Sequence, residues 1–382
     1  MHQPTTHSLR ALSAQPTNPT RVVLILAALV IMVAVLGAAP ELLSASTVSV
    51  DGPVDSTPTE IDLGASRVAN PTTSVTTTEP ADQVVRTSGP AAGVPDPRPG
   101  DLRFDASGDV LPSDYVAAPA AEIIRDIAYG PDDIHLMDLY LPAETDAPVI
   151  VYLHSGGWIA GDRTEVPEFI LRFLERGYAI AAVEYRLAPD HPFPAPIHDA
   201  KRAVRELKVM GDESDLIDGD RIVLYGTSAG GHIAAFLGAT VGEFEPTDLT
   251  AAQAEHDSSV AGIVVAVGPT DLVELYGHQN AWARPMSGAH AGCEPCTVEQ
   301  LELPSPINYV HEDMPPAYWA YGALDPLVDA ELQGRLMADA WAEAAGSEFS
   351  WFDLVDNSDH NLDQTVMNQR LLEAFVDQAV GR

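Results

Sequence analysis

Residues 221–239 read RIVLYGTSAGGHIAAFLGA, and their reading decides the fold. RIVLY is a short apolar run of the kind that forms a strand covered on both faces, and AGGHIAAFLGA is helix-forming text. Between them lies a G-x-S-x-G pattern centred on Ser228. A strand that turns at once into a helix leaves room only for small residues two positions either side of the serine, and Gly226 and Gly230 stand there. Ser228 then projects from the C-terminal end of the strand, above a helix N-terminus that favours developing negative charge.

Working outward, the same texture repeats. Residues 123–129 and 134–141, separated by Gly-Pro-Asp-Asp, predict an antiparallel pair. Further strands are expected at 147–154, 178–185, 221–226, 260–267, 317–322 and 349–354, with amphipathic helices at 164–176, 197–210, 229–240, 329–345 and 363–380. This alternation predicts an α/β domain over 121–382, a doubly wound, mostly parallel sheet with helices on both faces.

A serine nucleophile needs a base, a carboxylate to orient that base, and donors for the oxyanion. His154-Ser-Gly-Gly-Trp158 ends the strand APVIVYL, and glycine N–H groups can approach a substrate without a Cβ in the way. Gly156, Gly157 and the N–H of Ala229 are the expected oxyanion donors, with His154 supporting their loop. After His311 the chain contains one more histidine, His360, in a loop beyond the last expected strand. Asp325, just past the strand AYWAYG, is the expected orienting acid; Asp329 is the alternative.

The segment 271–304 between two strands should wall the substrate pocket, with Trp282 and Met286 facing it from the insert and Trp158 from the glycine loop. The same insert carries Cys293 and Cys296. A short-loop disulfide is the preferred reading, free thiols the alternative; His290 nearby raises zinc, but two thiolates without a second clustered pair are too few for a metal site. Prolines within Tyr185–Phe193 point to a packed loop rather than a reactive one.

Residues 22–39, VVLILAALVIMVAVLGAA, carry no charge, and a helix of that length reaches about 27 Å. Arg10 and Arg21 precede it, which assigns 1–21 to the cytoplasm, 22–39 to a transmembrane anchor and the remainder to the outside of the cell membrane. A secretory signal cleaved before Pro40 is the alternative. Residues 40–120, rich in Pro, Ser and Thr, read as a disordered linker. With 56 acidic against 20 basic residues, the chain has a net charge of -36, which excludes nucleic acid as a partner and disfavours binding flat on an anionic leaflet.

From about Asp126 onward the chain resembles the hormone-sensitive-lipase-like and feruloyl-esterase-like branch of the α/β hydrolases. The similar stretches are DIAYGPDDIHLMDLYLP, VIVYLHSGGWIAGDR, VEYRLAPDHPFPAPIHDA, IVLYGTSAGGHIA and SPINYVHEDMPPAYWAYGALDPLVD. The resemblance implies a carboxylesterase acting on a small ester, with no cofactor and with Ser228, Asp325 and His360 as its triad. Two positions depart from the family pattern. Ser155 replaces a glycine, at a cost of about 1–2 kcal/mol if that position is left-handed, and Tyr321 replaces a histidine. The same triad could serve an arylformamide or small amide, and a catalytically silent binding protein on this fold is the reading from another class.

Overall fold

The computed structural model describes residues 84–86, 120, 122–362 and 368–382. Its compact unit runs from Gln83 to Arg382. The expected cytoplasmic segment 1–21 and anchor 22–39 lie outside the described residues, as does most of the expected linker. One short piece of that linker has structure: Val84–Arg86 (β1) pairs in parallel with Phe352–Leu354 at the sheet edge.

The other strands are β2 (Glu122–Ala128), β3 (Leu136–Leu141), β4 (Ala147–Leu153), β5 (Ala179–Val183), β6 (Ile217–Thr227), β7 (Gly262–Ala266), β8 (Ala317–Gly322) and β9 (Ser350–Val355). Among the described residues they form one sheet in the order β1-β9-β8-β7-β6-β4-β5-β3-β2. Only β2 with β3 and β3 with β5 are antiparallel. The apolar runs thus fall where the sequence placed them, and the non-sequential order β5-β4-β6 comes from crossovers through helices.

Alternate residues of β4 feed two separate cores. Val149, Val151 and Leu153 face one with Ile197, Val204, Leu207, Ile233 and Leu237. Ile150 and Tyr152 face the other with Phe169, Ile170, Leu372, Phe375 and Val376. Helices therefore cover both faces: α1 (Glu168–Leu171), α2 (Ala195–Glu213), α3 (Ala229–Ala239), α4 (Leu272–Gly277), α5 (Ala283–Ala291), α6 (Val298–Glu302), α7 (Leu336–Ala345) and α8 (Gln369–Ala379).

Two expected helices are broken. The 164–176 stretch folds as the single turn α1 followed by a 3-10 segment, Arg172–Arg176, and 329–345 begins with a π-helical turn, Ala330–Arg335. The polar side of α2 is also not solvated as its pattern implies. Lys201, Arg202, Arg205 and Lys208 are buried beneath segment 240–259, where Lys201 and Arg205 reach Glu245 and Lys208 reaches Asp257. Buried cations persist only where such partners replace water.

Candidate active site

The C-terminal ends of the central strands lie level. Leu153 is in register with Gly226, Thr227 with Ala266 and Gly322 with Val355. Everything that follows β4, β6, β8 and β9 therefore meets along one edge, where ligands of open α/β sheets bind.

Ser228 is the residue between β6 and α3, at φ 53°, ψ -115°. Such a backbone is strained for a residue with a Cβ by about 1–3 kcal/mol and is held only by its surroundings. Its N–H donates to the carbonyl of Ala266, and its own carbonyl accepts from the N–H of His232. The crossing is as tight as the sequence required: a Cβ on Gly226 would come 2.1 Å from the carbonyl oxygen of Gly230, and one on Gly230 2.1 Å from that of Leu153. Beside the elbow, Val267 also adopts a left-handed φ of 46°, turning the chain out of β7 where a Cβ on Gly268 would strike Gly231. Nothing in a window around a valine signals that strain.

The loops after β8 and β9 are tied together by the N–H of Ala323 to Val355 O and that of Leu324 to Ser358 O. This brings Asp325 to His360, Nδ1 to Oδ2 at 2.7 Å, and His360 Nε2 to Ser228 Oγ at 3.0 Å. A carboxylate only accepts, so Nδ1 carries the proton and Nε2 is left to receive one from the serine. Asp325 has a fully buried side chain whose other oxygen accepts from the N–H groups of Leu327 and Val328, while His360 remains one-fifth exposed. Asp329, the alternative acid, is occupied elsewhere: it caps the π-helical turn through the N–H groups of Glu331 and Leu332.

The glycine loop leaves β4 beside this relay. Gly156 (φ 126°), Gly157 (φ 60°) and Trp158 (φ 60°) turn to positive φ; Ser155 does not, so the serine carries no left-handed strain. His154 packs at the base of this loop. It stacks on Tyr185 at 4.1 Å, its Nδ1–H donates to Ser155 O, and its carbonyl accepts from Tyr185 Oη. Ala188 N–H donates to Trp158 O and Phe193 N–H to His290 O, which makes Tyr185–Phe193 the packed brace its prolines indicated.

The expected pocket residues separate. Met286 lies against Gly157. Trp282 is 41% exposed at the start of α5, and Asn280 in its turn bonds Pro326 O beside Asp325. Trp158 requires a correction: only 1% of it is exposed, so it lines no open pocket. Its left-handed backbone turns the indole inward, where Nε1–H donates to His232 Nδ1 and the ring stacks on His290 at 4.6 Å. His290 is fully buried within this aromatic group, and Cys293 and Cys296 are bonded to each other, so the three do not form a ligand set. Burial pushes the His232 pKa down to about 4 and that of His290 well below its ordinary value. Tyr321 sits in the core, donates to Gly268 O and leaves the relay undisturbed.

A parallel sheet sandwiched by helices, a strained serine elbow and a Ser–His–Asp relay at the strand ends define an α/β hydrolase. The BD-FAE family model matches residues 137–340, more than half of the chain, and the chain belongs to that family. It is 28% identical to the Esterase LipQ of Mycobacterium tuberculosis over 265 residues, covering 66% of this chain and 61% of the relative. It is 37% identical to the Carboxylesterase NlhH of the same organism over 118 residues, 30% of this chain and 36% of that one. The chain thus spans about three fifths of the length of LipQ. A truncated carbohydrate esterase from gut microbiota shares the fold, with a TM-score of 0.60 at 21% identity over 69% of this chain and 98% of that one.

Proposed function

We propose that the protein hydrolyses carboxylic esters of short acyl chains through an acyl-enzyme on Ser228. The observation that carries this reading is the continuous relay from Ser228 Oγ through His360 to the buried Asp325. The serine attacks the ester carbonyl while His360 Nε2 takes its proton and Asp325 holds the imidazole in the required tautomer. The N–H groups of Gly156, Gly157 and Ala229 receive the oxyanion, a contribution of roughly 10²-fold in rate per donor. His360 then returns the proton to the departing alcohol. A water deprotonated by the same nitrogen releases the acid and restores Ser228.

The esterase names of the relatives support the bond cleaved, and Met286 over Gly157 supports a short acyl chain by filling the space beside the donors. The deciding experiment compares the full chain with Ser228→Ala on p-nitrophenyl esters from acetate to octanoate, beside an arylformamide. The expected result is turnover of the short esters that vanishes in the variant. Equal rates for both proteins reject the reading, and preference for the arylformamide replaces the bond assigned. For location, the uncharged run at 22–39 supports an anchor with the catalytic domain outside the cell. An intact N-terminus in the membrane fraction is the expected outcome, and a mature start near Pro40 in the medium rejects it.

A further inference from the structure

His232 lies one turn into α3 from Ser228, and its ring is wholly buried. Both nitrogens are committed. Nε2 is 2.7 Å from Pro304 O, which can only accept, so Nε2 carries the proton and Nδ1 is free to accept from the indole N–H of Trp158 at 3.2 Å. One ring therefore links the nucleophile's helix, the glycine loop and the end of the 271–304 insert.

Trp158 needs holding. It directly follows Gly157, and both residues sit at φ 60°, a conformation a bulky side chain leaves unless its surroundings fix it. Three contacts fix it: His232 on the indole N–H, the face of His290 at 4.6 Å and 20°, and Ala188 N–H on its carbonyl. His290 offers only its face, for neither of its ring nitrogens has a hydrogen-bond partner among the described residues. His232 is thus the side chain that holds the indole by a directional bond.

We infer that His232 is a positioning residue for the oxyanion donors: by holding Trp158 through Nδ1 it keeps the peptides of Gly156 and Gly157 aimed at the reacting carbonyl. The inference rests on the ester-hydrolysis reading. Releasing the indole lets residue 158 relax and carries the preceding peptides out of line, and misplacement of about 1 Å near a reacting centre costs up to about 10²-fold. Because the donors bind the oxyanion and not the ground-state carbonyl, the loss falls on kcat and leaves KM nearly unchanged.

The geometry of the ring supplies its own test, since the Oδ1 of asparagine stands in for Nδ1 and the Nε2 of glutamine for Nε2. The full chain is assayed as wild type, His232→Asn, His232→Gln, His232→Phe and Trp158→Phe on a short p-nitrophenyl ester. Expected are a 10- to 100-fold fall in kcat for the glutamine and phenylalanine variants, recovery to within about threefold for asparagine, and a double variant His232→Phe/Trp158→Phe no slower than either single one. An asparagine variant as slow as glutamine, rescue by glutamine instead, or a loss carried by KM overturns the inference. If His232→Phe does not fold, the asparagine-to-glutamine comparison still decides. Ser228→Ala run alongside separates the two levels: full activity there rejects the hydrolysis reading, whereas loss there with unaffected His232 variants rejects only the role of His232.

Discussion

Met286 lies directly over Gly157, so that a Cβ on the glycine would come 2.2 Å from the methionine sulfur. A side chain of the insert thus closes over one of the two loop glycines proposed to bind the oxyanion. Met286→Ala should open that space. Relative to wild type, kcat/KM for a hexanoate ester should rise against acetate by about 10-fold, the scale expected for burying a few methylene groups. An unchanged acyl-chain profile would show that the acyl group lies elsewhere. Gly157→Ala meets both the sulfur and an unfavourable φ, and its kcat should fall by at least about 10-fold.

Asp325 and Asp329 are four residues apart and do different work. Asp325→Asn can still accept from Leu327 and Val328 through one oxygen, but it presents an amide N–H₂ or the wrong proton pattern to His360. A fall of roughly 10³–10⁴ in kcat with little change in melting temperature is expected. Asp329→Asn keeps a side chain competent to cap, and kcat should stay within twofold. Comparable losses from both substitutions would reject the assignment of roles.

Acid should weaken the fold through its buried imidazoles. His232 is held at about 4 by burial, against an ordinary 6.5, and His290 is shifted in the same direction. Between these limits the unfolded chain takes up protons that the folded one refuses. Stability is therefore complete above about pH 6.5 and declines as the pH falls toward 4, with His232 alone worth about 3 kcal/mol across that window. Melting curves from pH 7 to pH 4.5 should show a smaller decline for His290→Phe than for wild type. Parallel declines would place the acid sensitivity in other groups.

Cys293 and Cys296 close a very short loop at the end of α5, beside Glu294, which pairs with Arg284, and Tyr276, whose hydroxyl accepts from the N–H of Cys296. The double change to serine should cost about 2 kcal/mol by the chain-entropy relation for so small a ring. Kinetic constants should change less than threefold, because the contacts of Met286 and His290 lie earlier on the helix. Mass spectrometry after alkylation, with and without reductant, checks the bond itself.

The relay was legible because each of its members is signalled locally. Gly226 and Gly230 are demanded by backbone contacts close to 2 Å, His360 has no rival beyond His311, and Asp325 follows an uninterrupted apolar strand. Trp158 was not legible as a buried group. An aromatic residue after a glycine loop reads as a pocket wall, and only its φ of 60°, which side-chain identity does not announce, turns it inward. The burial of His290 was no more legible, since proximity to two cysteines in sequence says nothing of where a ring faces. The burial of the charged side of α2 is not legible in its amphipathic pattern because the partners of Lys201 and Lys208, Glu245 and Asp257, come from more than 40 residues downstream. Complementarity at that distance leaves no trace in helical periodicity.

Ser228 and His360 stand 132 positions apart in the chain, and this has a bearing on synthesis. At about 5–20 residues per second the ribosome delivers the serine roughly 7–26 s before its base. During that interval the nascent chain carries an ordinary hydroxyl with no group to activate it. On the proposed reading, hydrolytic competence is thus withheld until the last two strands and the loop between β9 and α8 have been made, so that a truncated translation product should emerge inert.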